Sequence, residues 1–232
     1  VQGTRGWWEY ELSDGRLPWT PLLQRAISDT STRLGIVEPS RDAASLAAIL
    51  AITAVTGEAA GSPAPTDAPG TAGVPQITVT ALRTLVASRS MVREDVLRRL
   101  PRSADPVSLA AGLSLVPVPE QVIIGYNATR PPVRLTAVAA DPPPVALDFP
   151  YAVLPATEGT RARAAAKLRA VLRGDAFRDR LAEHGLRGND ASVGRNWPID
   201  APQIDGGLGA PVLPEGDVID RTLLTWEAVA QP

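Results

Sequence analysis

Strands interleaved with helices, in a chain long enough to cover a sheet on both faces, predict an α/β layer fold. Residues 33–55 read as a short buried strand, a polar turn and a long apolar helix. Apolar runs of strand-like character recur at 121–126, 133–138 and 146–154, between stretches of helical period. The chain has 232 residues, 44% of them hydrophobic, enough for one large domain or two small ones with a proper core.

In chain order, Trp7, Trp8, Tyr10 and Trp19 flank the turn Ser13-Asp14-Gly15 and suggest a hairpin or arm over residues 1–19. Its role is to cover an apolar surface or, alternatively, to offer an aromatic platform to a ligand. Thr20 and Pro21 fit an N-cap and first helical position, for a helix ending near Asp29 or Thr30. Leu34 to Val37 reads as a strand and Glu38-Pro39-Ser40 as a turn. Residues 42–55 then read as a helix whose Leu46, Ile49, Leu50, Ile52 and Val55 cover more than one face, so it belongs between layers. Gly and Pro make 57–75 a surface loop. Helices follow at 78–87 and 92–100, with a short one from Asp105-Pro106 through Leu113. After the three strands, helices 159–173 and 175–184 are separated by Gly174 and closed by Gly185. Residues 188–232 read as an irregular C-terminal extension ending in a short segment, 218–229, that contains Trp226.

Composition narrows the function classes. A net charge of −2 argues against a dedicated nucleic-acid binder, which needs a basic excess to meet phosphates. Cysteine is absent, so thiol chemistry and disulfide frameworks are excluded. No apolar run approaches the ~18 to 20 residues that span a bilayer. No basic-then-apolar signal segment opens the chain.

Four stretches, taken in order, resemble the type II periplasmic solute-binding fold, in particular the region preceding von Willebrand factor A domains in exported actinobacterial proteins. They are Leu34 through Leu46, Pro119 through Asn127, Leu147 through Leu154, and Ala162 through Leu186; Leu223-Leu224-Thr225-Trp226 resembles the lead-in to such a domain. The resemblance covers about residues 17–190 and implies a mixed sheet flanked by helices over 20–187, with the first lobe incomplete. It also implies a non-catalytic, extracytoplasmic module of a cell-envelope protein, without cofactor. Such a module senses a small solute or anion or binds a protein partner, and is membrane-proximal only through regions outside this chain. The alternative is a structural or partner-binding scaffold that has lost small-molecule binding.

By the same resemblance Ser40, Arg41 and Asp42 sit where the family meets its ligand. The helix N-terminus there offers N–H groups and Arg41 offers charge, while Glu38 and Asp42 fit ordinary capping equally well. Glu120, Tyr126, Asn127 and Tyr151 would lie near the hinge, although Tyr and Asn at strand ends usually bond to backbone. His184 is the sole histidine, which leaves no Ser-His-Asp relay or histidine-rich metal site, and its position before Gly185 suits a helix C-terminus. The basic run from Arg161 to Arg187 is interleaved with Asp175, Asp179 and Glu183; it reads as solvated ion-paired faces or as a surface for acidic polymers or lipid headgroups.

Overall fold

The computed structural model describes residues 16–29, 31–60, 73–198 and 214–231. They are mixed α/β, about half helical, with two small parallel sheets. The chain divides into two compact units. One holds the described residues up to Val118, Val138–Val145 and residues 214–231, and the other holds Pro119–Ala137 and residues 146–198.

In the first unit, β1 (Arg16–Pro18) pairs in parallel with β4 (Ala139–Asp141), and β2 (Ile36–Val37) pairs in parallel with β3 (Arg89–Ser90). Four helices, α1 (Trp19–Ser28), α2 (Ala43–Ala60), α3 (Gln76–Val86) and α9 (Gly216–Ala230), pack around one apolar core. Leu23, Ile36, Ile49, Ile52, Leu82 and Trp226 are its most enclosed large side chains. α2 is apolar nearly all round, as its sequence predicts, and its buried hydroxyl at Thr56 bonds Ile52 O at 2.7 Å and Thr78 Oγ1 of α3 at 2.6 Å. Gly35 lets β2 approach residues 113–116: a Cβ there would lie 2.5 Å from Leu113 Cδ1 and 2.7 Å from Val116 Cγ1. Two short helices, α4 (Arg93–Arg98) and α5 (Pro106–Ala111), complete the unit, and Asp105 Oδ1 caps α5 by accepting from Ser108 N at 2.9 Å.

The second unit contains α6 (Glu120–Ala128), α7 (Gly159–Leu172) and α8 (Asp175–Glu183). Gly185 follows α8 at φ 69°, and Leu186 N donates back to Leu181 O at 3.0 Å, a closure that favours glycine at that position. No described helix is long and apolar enough to cross a membrane.

Several expectations are corrected. Residues 121–126 are helical within α6, not a strand. Pro119 stands at the N-cap and Glu120 in the first turn, and the buried residues Ile123 and Asn127 recur four apart, so helical burial overrides the β-branched run Val122-Ile123-Ile124. No strand forms over 133–138, where pairing begins only at Ala139, nor over 146–154, where Pro150 lacks an N–H and no partner strand is offered. α1 starts at Trp19, not after Thr20, because the buried Trp19 anchors it through Nε1 donating to Pro142 O at 2.8 Å. Pro21 still lies in the first turn, where its missing N–H costs nothing. α2 runs through Ala60 into the expected loop, and residues 61–72 of that loop lie outside the described residues. So do Trp7, Trp8 and Tyr10 of the expected arm. Residues 216–230, expected within an irregular extension, form α9 and seal the core with Trp226.

Candidate functional site

The turn after β2 is built around two acids. Glu38 is 8% exposed and Asp42 5% exposed, so each needs partners for its charge. Glu38 N donates to Ser90 O at 2.8 Å, and Arg41 N donates back to Glu38 O at 2.9 Å, closing the turn. Glu38 Oε1 accepts from Trp226 Nε1 at 3.0 Å and from Ser40 Oγ at 3.3 Å, while Oε2 accepts from Arg89 Nη1 at 3.2 Å. Asp42 is the N-cap of α2: Oδ1 accepts from Ser45 N at 2.9 Å, and Oδ2 accepts from Arg93 Nε at 3.0 Å and from Arg93 Nη2. Ser45 Oγ accepts from Val37 N at 3.2 Å and ties the helix start to the strand.

Of the three residues expected to meet ligand here, Ser40 and Asp42 are therefore bonded within the turn and to its neighbours. Ser40 and Arg41 are exposed, and of the three only Arg41 has no side-chain partner among the described residues. An anion approaching the helix start would face two carboxylates already neutralised by Arg89 and Arg93, so the dipole and those cations are spent on the protein's own acids.

Glu120, Tyr126, Asn127 and Tyr151 all belong to the second unit. Glu120 is clamped by Arg187, with Nε to Oε2 at 2.7 Å and Nη2 to Oε1 at 2.9 Å. The same guanidinium lies 5.3 Å from the Trp197 ring centroid and donates to Ala191 O at 3.1 Å; the bond to Glu120 holds its pKa above the ordinary arginine value. Asn127 is buried and acts as a backbone surrogate, Nδ2 donating to Leu135 O at 2.8 Å and Oδ1 accepting from Leu135 N at 2.9 Å. Tyr151 donates its hydroxyl to Ala165 O of α7 at 3.2 Å. Tyr126 is half-buried, and its hydroxyl has no partner among the described residues. Among the described residues no group of three or more His, Asp or Glu side chains is arranged to hold a metal ion.

The basic run divides where the sequence treats it as one. Around α8, Arg178 meets Asp175 at 2.5 Å, Arg180 meets Glu183 at 2.5 Å, and Arg195 meets Asp179 at 2.8 Å. On α7, none of Arg161, Arg163, Lys167, Arg169 and Arg173 meets a carboxylate among the described residues; Arg163 donates to Thr160 Oγ1 at 3.1 Å. The signal was present in the sequence, since residues 159–173 contain no Asp or Glu. α7 also buries none of its residues. Leu154, which lines a depression with Arg161, is 76% exposed, and Phe149, five residues before it, is 80% exposed. Two open depressions lie here, one lined by Leu154, Thr157, Glu158 and Arg161, the other by Val153, Ala162, Ala165, Arg169 and Arg173.

Compared with protein-family models, with curated proteins and with solved structures, the chain matches none.

Proposed function

We propose that this chain is a non-catalytic interaction domain of an exported cell-envelope protein, a solute-binding-like α/β module that serves as a partner-binding scaffold and does not capture a small solute. One observation carries the preference for a scaffold. Of the seven side chains where the binding-protein resemblance would put ligand contacts, Ser40, Asp42, Glu120, Asn127 and Tyr151 each make internal hydrogen bonds. A ligand recruited by Asp42, Glu120 or Asn127 would have to break bonds to backbone or to partly buried arginines, and leaving such enclosed groups unpaired costs about 1–3 kcal/mol each. The relation to the type II binding fold and the extracytoplasmic placement rest on the sequence order of the four resembling stretches, of which Pro119–Asn127 and Leu147–Leu154 do not form the strands expected of them.

A second reading, sensing of a small anion, is favoured by Arg41, which is exposed and unpartnered among the described residues. A thermal-shift series with sulfate, phosphate, molybdate, amino acids and sugars separates the two, because a ligand that binds only the folded state raises Tm by mass action. The scaffold reading expects no concentration-dependent rise. A rise with any of these solutes that disappears in Arg41→Ala overturns it in favour of the sensor.

A further inference from the structure

Residues 146–154 carry the alternation of a strand, with Leu147, Phe149, Tyr151 and Val153 at every second position, yet they join no sheet. Among the described residues the backbone groups of 146–153 make no hydrogen bond, and Leu154 O accepts only from Thr157 N, at 3.0 Å. The segment is nevertheless anchored, since Tyr151 donates to Ala165 O of α7 and Val153 shares a depression with Arg169 and Arg173. A strand-patterned segment with vacant backbone donors and acceptors is a template for pairing with another extended chain. Next to it stand Arg161, which lines a depression with Leu154, and Arg169 and Arg173, which line one with Val153, and no carboxylate of the described residues forms an ion pair with them. On and after α8, Arg178, Arg180, Arg187 and Arg195 are all paired, whereas Arg130 and Arg134 of the same unit meet no carboxylate of the described residues.

We infer that residues 147–154 and the cationic side of α7 form a docking surface for an extended acidic polypeptide segment with apolar residues at alternate positions, received by strand addition. Each part of the surface has a use in that complex. The vacant backbone groups set the register. Phe149 and Leu154 meet the partner's apolar residues, and Arg169 and Arg173 meet its carboxylates with charge-assisted bonds. Lipid headgroups would use the cations but leave the strand-like backbone without a role. The inference rests on the interaction reading above and gives it a surface and a partner class.

The test is fluorescence anisotropy with the full chain and a labelled peptide of alternating Glu and Val, about ten residues long, the length of a long strand. Saturable binding is expected, weakened about tenfold by Arg169→Glu with Arg173→Glu through electrostatic mismatch. Ala152→Pro, which leaves the charge unchanged but removes a backbone donor, is expected to weaken it comparably, and Phe149→Ser tests the same contact at a side chain whose loss cannot disturb a core. Polyglutamate of equal length is expected to bind far more weakly. If polyglutamate binds as well as the alternating peptide, or if both Ala152→Pro and Phe149→Ser bind as wild type, strand addition is overturned. Absence of saturable binding up to ~1 mM, near the weak limit of specific association, overturns the docking surface itself. Binding to phosphatidylglycerol vesicles in place of the peptide does the same. These outcomes are independent of the solute series: a failed peptide with no solute shift leaves the scaffold reading standing without this surface, whereas an Arg41-dependent shift removes the scaffold reading whatever the peptide does.

Discussion

The turn at residues 38–42 and the strip at 147–173 contain similar materials, charged side chains beside apolar ones, and the fold uses them in opposite ways. In the turn, two buried acids are each matched by an arginine and by an N–H or indole donor, so the charge is consumed in holding β2, α2, α4 and α9 together. In the strip, cations, exposed apolar side chains and vacant backbone groups lie side by side with little internal use. A helix N-terminus after a strand is thus a poor guide to a binding site when its own cap and neighbouring arginines complete it. The better guide is a run of one sign of charge that the fold leaves unanswered.

Substitutions should separate the two regions by size of effect. Trp226→Ala empties a position 1% exposed and removes a donor to Glu38, so a loss of about 3–5 kcal/mol is expected by urea unfolding. Phe149→Ala, at a side chain 80% exposed, should change stability by no more than about 0.5 kcal/mol in the same assay. A loss at Phe149 approaching that at Trp226 would mean the strip is core and not surface. Asp42→Ala removes the α2 cap and a partner of Arg93, and about 2 kcal/mol is expected to go with it. Arg41→Ala, one residue earlier, should be near neutral in stability, within about 0.5 kcal/mol.

The smallest effect is on proton binding and sharpens the contrast between α8 and α7. Asp179 has its pKa lowered below 3.8, first by the backbone N–H of Arg195 and then by that residue's side chain. A depressed folded-state value means that its contribution to stability is present above the unfolded value and is lost as pH falls below 3.8 through the lower folded one. Carboxyl NMR titration should place the Asp179 midpoint below 3.8, and Arg195→Ala should raise it only part of the way, because the backbone donor remains. Full return to 3.8 would show that the side chain alone was responsible.

What could be read from the residues follows from the range of the interactions. The cap at Asp105, the buried character of α2 and the break between α7 and α8 at Gly174 depend on neighbours within a turn, and all appear where local chemistry puts them. The spent state of the 38–42 turn depends on Arg89, Arg93 and Trp226, and the Glu38 and Trp226 partners are 188 positions apart. No local pattern announces that pairing. Residues 120–128 mislead for a related reason: Val122-Ile123-Ile124 is strand-like in composition, and only the burial of Ile123 and Asn127 on one side decides for a helix. In α7 the decisive signal was local after all, an absence of acids over fifteen residues that grouping it with α8 concealed.

The bond between Glu38 and Trp226 also orders events in time during synthesis. With translation at ~5–20 residues per second, Trp226 leaves the peptidyl-transferase centre roughly 10 to 40 seconds after Glu38. Throughout that interval the nascent chain holds a carboxylate without its indole donor and a core without α9. Its first unit therefore completes only after α9 has been made, and until then its core lacks Trp226 and Val229.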